Sequence, residues 1–196
     1  MELEKFFSEI GPKIKKAVIA DYPGIRKKIG KEKPYALAFV SDDEYITFWL
    51  GINTYEHLEK TDAKYGKDGH EYTTKWNPAE WGYMIADAQL AKISDILSEK
   101  MDEIFDQLES EAGDLSFEEY GALVESTGYP DLFIKTLTAV FQELIQADVF
   151  GLEPDAATYF ITMSDDERSV EIENNSAKIL NSKKVYEEFL RRKTNY

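Results

Sequence analysis

Acidic residues crowd two short stretches, Asp42-Asp43 and Asp165-Asp166-Glu167. A pair of carboxylates in contrasting environments is what general acid/base catalysis requires. Both stretches, however, fall where turn chemistry and the positive end of a helix dipole favour acidic side chains anyway, so a structural role is the expectation. His57 and His70 are the only histidines, and they stand thirteen apart without a second ligand pair, which speaks against a histidine metal site. The chain has no cysteine, so thiolate ligands, cysteine nucleophiles and disulfides are excluded together. Gly66-Lys67-Asp68-Gly69 lacks the glycine spacing and the terminal Lys-Ser/Thr of a phosphate loop. No catalytic constellation is legible; no metal or cofactor is expected, and a non-enzymatic role is preferred to an enzymatic one.

Two constellations suggest binding instead. The segment 75–83, KWNPAEWGY, holds two tryptophans five apart around Asn77-Pro78, with Pro78 placed to open a short helix. Its indoles either plug the core or, with Glu80 and Tyr83, make Trp76 and Trp81 the wall of a groove for a small molecule or peptide. The second constellation lies on a long helix expected from Asp87 to just before Gly113. Asp95, Glu99, Asp102, Glu103, Asp106, Glu109 and Glu111 occupy its polar faces. They form either a solvated face or a docking surface for a cationic protein.

Charge placement bears on that choice. The net charge is −15. Residues 1–35 carry nine Lys/Arg against five Asp/Glu and residues 177–196 six against two, so each end is +4 and the middle −23. Such a field opposes nucleic-acid binding and favours basic partners. The basic ends either lie over the acidic helix and neutralise it or leave it open, and the open face is preferred because surface ion pairs hold long side chains weakly. Neither an apolar signal core at the N-terminus nor a window of membrane-spanning length is present, so a cytoplasmic protein without membrane contact is expected.

The elements that must position these residues follow from periodicity. Tyr35 to Thr54, YALAFVSDDEYITFWLGINT, reads as a β-hairpin with both faces covered, Leu37 and Phe39 on one and Ala38 and Val40 on the other. Leu3, Phe6, Phe7, Ile10, Ile14, Ala17 and Val18 predict an amphipathic first helix, kinked or restarted at Pro12 and ended by Tyr22-Pro23-Gly24, with a lysine-rich loop or short helical turn up to Pro34. A short helix is expected over 55–64. Leu90, Ile93, Leu97, Met101, Ile104 and Leu108 form the seam of the long acidic helix. Ser116 and Glu119 predict a capping box, and a further helix runs from Asp131 to a stop at Gly151. Ala157 to Met163 predicts a strand that must join the hairpin. Residues 165–180 read as a helix capped by Ser164 and Glu167 or as a strand and turn, the helix being preferred; Asn181 or Ser182 caps a last helix carrying Val185, Tyr186, Phe189 and Leu190.

The whole predicts one α+β domain over 1–196, a small antiparallel or mixed sheet of hairpin 35–54 and strand 157–163 covered by helices. The segments YALAFVSDDEYITFWLGINT, WNPAEWGY, YFITMSDDE and SAKILNSKKVYEEF together resemble a bacterial family of unknown function over most of the chain. That resemblance implies no catalytic residues. A looser similarity to the SUKH group of toxin-immunity proteins implies a basic toxin domain as partner; oligomeric state is left open.

Overall fold

Strand β1, Pro34–Asp42, is buried on both faces along almost its whole length. Leu37 and Phe39 enter one core and Ala36, Ala38 and Val40 the other, as strand alternation demands. The computed structural model describes residues 2–65, 71–86, 88–113 and 116–192. The expected glycine turn at 66–69, His70 and Asp87 lie outside them. β1 pairs antiparallel with β2, Trp49–Thr54, and parallel with β4, Thr158–Ser164. A three-residue edge strand, β3, Tyr83–Ile85, completes a mixed sheet of order β3-β2-β1-β4. The fold is α+β, as the periodicity implied.

Helices α1 (Glu2–Ile29), α4 (Ala88–Ala112) and α6 (Tyr129–Gln146) cover the first face, where their seams meet Phe39, Leu50, Ile52 and Ile161. On the second face, Ala38, Val40 and Phe160 pack against Trp76 at the end of α3 (Glu71–Trp76), Trp81, and Phe189 of α8 (Lys183–Leu190). Helix α2 (Tyr55–Tyr65) follows β2 directly. Helix α7, Ser169–Leu180, seals the outer edge of β4: Asn181 exchanges hydrogen bonds with the Tyr159 N–H and C=O (2.9 and 2.6 Å), and Ser176 Oγ accepts the Ile161 N–H (2.9 Å). Side chains thereby satisfy a sheet edge that would otherwise invite a further strand. Among the described residues no helix is long and apolar enough to cross a membrane.

The first helix departs from expectation. It runs unbroken through Pro12 and Pro23, because Tyr22, Ile25 and Ile29 continue its buried stripe and their burial outweighs the backbone bonds the prolines forgo. The stop comes at Gly30, whose φ of +62° ends the helix with its N–H on the Arg26 carbonyl (3.1 Å). Arg26, Lys27 and Lys28 are thus a last helical turn, where positive charge suits the dipole, and not a loop. Helix α6 begins two residues before Asp131 and ends at Gln146, well short of Gly151. Helix α7 starts after Arg168, not at Ser164, which closes β4 instead. The expected capping box does open α5, Phe117–Ser126, and Ser182 caps α8.

Candidate functional site

The tryptophan block brings its indoles together as a plug. Trp76 meets Phe189 edge-on at 5.0 Å and Trp81 meets Phe160 at 5.7 Å, and both are at most 9% exposed. Trp81 Nε1–H donates to the Lys75 carbonyl (3.1 Å), and its ring lies against the bare backbone at Gly51, where an added Cβ would approach it to 3.1 Å. Asn77 caps the 3-10 turn Pro78–Glu80. Glu80 is exposed, and its carbonyl meets His57 Nε2 at 3.2 Å. The Tyr83 hydroxyl donates to Glu32 (2.9 Å), which also accepts from Thr54 Oγ1 (2.6 Å). The Thr54 hydrogen bond comes first among the effects that hold the Glu32 carboxyl below its usual pKa.

Helix α4 presents the acidic residues as a continuous stripe. Asp95, Glu99, Asp102, Asp106 and Glu109 follow one another at steps of four, three, four and three, and all are exposed. That spacing sets them on one helical face about 21 Å long. Glu103 stands apart, paired with Lys100 (2.7 Å). Among the described residues none of the five stripe carboxylates has an ion pair. Two basic side chains of α1 pair elsewhere, Lys15 with Glu143 of α6 (2.7 Å) and Lys5 with Glu9 (3.9 Å).

Beside the stripe lies a cleft that sequence reasoning missed. Its signal was available: the tetrapeptide Ser-Asp-Asp-Glu occurs twice, at 41–44 and at 164–167. Because β1 and β4 are parallel and Asp42 is in register with Ser164, the two copies emerge side by side at the carboxyl ends of adjacent strands. Crevices at such strand ends are a common place for ligands in α/β sheets. The first turn is built by Asp42, whose carboxylate accepts the N–H groups of Ile46 (2.9 Å) and Thr47 (3.2 Å). Tyr45 at φ +61° and Asp165 at φ +64° hold left-handed backbone, which a bulky tyrosine rarely adopts.

Arg168 ties the cleft's walls together. Its guanidinium contacts Glu125 of α5 (2.7 Å), Asp166 (3.3 Å) and the Tyr45 hydroxyl (2.5 Å). Burial, first among its causes, raises the pKa of the Tyr45 phenol, which therefore stays protonated. The cleft offers about 800 Å³ between Met101 and Phe105 of α4, Tyr120, Gly121, Val124 and Glu125 of α5 and the two acidic turns. Asp43, Glu44, Asp165 and Glu167 on its rim are exposed and without ion pairs among the described residues. Asp102 and Glu109 lie three before and four after Phe105, so the stripe runs along the cleft's edge. Among the described residues no three of His, Cys, Asp and Glu converge in a metal-binding arrangement. The chemistry on offer is recognition of positive charge beside an apolar floor.

The fold and the cleft define an α+β domain with a charged, cleft-bearing face at the carboxyl ends of two parallel strands. Residues 14–182 match the model of DUF4303, a domain of unknown function, and the chain belongs to that family. The matched span takes in the whole sheet, both acidic turns and the cleft. No curated protein and no solved structure matches the chain.

Proposed function

We propose that the protein is a non-catalytic interaction module that recognises a basic protein through the acidic face of α4 and the adjoining turns. The observation that carries this is the stripe of five unpaired carboxylates. Like charges at these spacings repel one another, so the helix forgoes stability to keep them, and an open field of one sign speeds association with a partner of the other. A bacterial toxin domain that the protein neutralises in the cytoplasm is one partner of this chemistry, and the cysteine-free sequence supports that compartment.

The test is kinetic. A basic protein captured from the native host is purified, and its association with the wild type is compared with that of a variant in which Glu99, Asp102, Asp106 and Glu109 are changed to Gln or Asn. The expected result is rapid association that slows steeply with added salt and loses most of that dependence in the variant. An association rate indifferent both to salt and to the four substitutions refutes the reading.

A further inference from the structure

The floor of the cleft is more apolar than a surface for charge alone requires. Tyr45 and Val124 are almost fully buried beneath it, and Phe105 packs edge-on against Tyr120 (5.5 Å) to make its wall. Gly121 sits in the middle of α5 on the same wall. Glycine is the least favoured residue after proline in a helix interior, yet a Cβ built at Gly121 meets nothing within 4 Å. The position could hold a side chain at a gain in helix propensity, and leaving it bare keeps the cleft open. The volume of about 800 Å³ is within the range of pockets that take a large side chain or a small ligand. Around this apolar floor the lining residues carry six carboxylates against the single guanidinium of Arg168, itself engaged by Glu125, Asp166 and Tyr45.

We infer that the cleft receives an apolar anchor side chain from a basic amphipathic segment of the partner, whose lysines or arginines then lie along the rim and the α4 stripe. This rests on the proposed recognition of a basic protein and adds where and how the partner is gripped. Charge complementarity selects the occupant. The rim repels an acidic segment and gives a neutral one no electrostatic gain, while the floor gives a basic one a site to desolvate a large side chain, the usual form of an interface hot spot.

The experiment uses two synthetic helical peptides with lysine at every third or fourth position, one bearing a 5-fluorotryptophan on its apolar face and the other alanine there. Binding to the full chain is measured by calorimetry at low salt, and the fluorine resonance reports the anchor's surroundings. The tryptophan peptide is expected to bind the wild type at least about tenfold more tightly than the alanine peptide, with a shifted and broadened fluorine signal. Gly121→Leu, which sets a branched side chain on the cleft's α5 wall, is expected to abolish that advantage; thermal melting verifies that the variant folds. The fluorine shift in wild-type protein tests the anchor independently of any variant. Equal affinity of the two peptides, an unshifted fluorine signal, or an advantage that survives Gly121→Leu overturns the inference and leaves charge recognition standing. Failure of both peptides to bind at low salt overturns charge recognition and the anchor with it. A wild-type dimer that Gly121→Leu dissociates makes a second copy the occupant and likewise refutes the inference.

Discussion

Removing Arg192 should loosen the last helix in a way that acid partly repairs. The Arg192 guanidinium meets Glu173 of α7 at 2.8 Å, with the two side chains 2% and 3% exposed. It also lies 3.7 Å from the Phe189 ring centroid and donates to the Phe189 carbonyl, while Thr162 Oγ1 donates to the other Glu173 oxygen (2.7 Å). Breaking a buried ion pair by deleting one partner costs about 3–5 kcal/mol, because the remaining charge is left in a poor solvent. Arg192→Met keeps the side chain's length and leaves Glu173 with Thr162 alone. Burial already outweighs the Thr162 and Arg192 contacts and raises the Glu173 pKa. A carboxyl with a raised folded-state pKa favours the fold most fully below its unfolded pKa, and that contribution is lost as pH rises through the folded value. Without Arg192 the pKa rises further. The deficit of Arg192→Met should therefore be largest near neutral pH and shrink as pH falls towards the ordinary carboxylate range. Glu173→Gln, which strands the guanidinium, should show no such rescue, and the double variant should recover much of the loss. Urea melts of the four proteins across that pH range provide the measurement. A cost for Arg192→Met below about 1 kcal/mol, or one independent of pH, would refute the reasoning.

Three further outcomes are expected. Trp81→Ala should cost about 3–5 kcal/mol in thermal or denaturant melts, since it empties a large aromatic site and leaves the Lys75 carbonyl without its indole donor; a variant as stable as the parent would mean the indole is not packed. Changing Asp95, Glu99, Asp102, Asp106 and Glu109 to Asn or Gln should stabilise the chain by about 1 kcal/mol at low salt and by little at high salt, because four like-charge neighbours are relieved. Gly121→Ala should raise stability by about 1 kcal/mol, read from the urea midpoint, since the added methyl meets open space.

Local rules reached far in this chain. The apolar seam of α4, the Ser116 and Glu119 capping box, the Ser182 cap and the alternating faces of β1 are set by chemistry acting within a few residues, so sequence alone predicts them. It also predicted that β4 must join the hairpin, because a lone strand cannot satisfy its backbone. What it could not decide were contests between local cost and distant gain. Pro23 argues locally for a helix end, and only the partners that bury Tyr22, Ile25 and Ile29 overrule it. Glu173 and Arg192 look like surface residues until α7 and α8 pack together beside β4 and enclose them both. The cleft depends on tertiary structure most of all. Each Ser-Asp-Asp-Glu turn is locally unremarkable, and it is the parallel register of two strands distant in sequence that sets them side by side, with α4 and α5 supplying a floor that neither turn encodes.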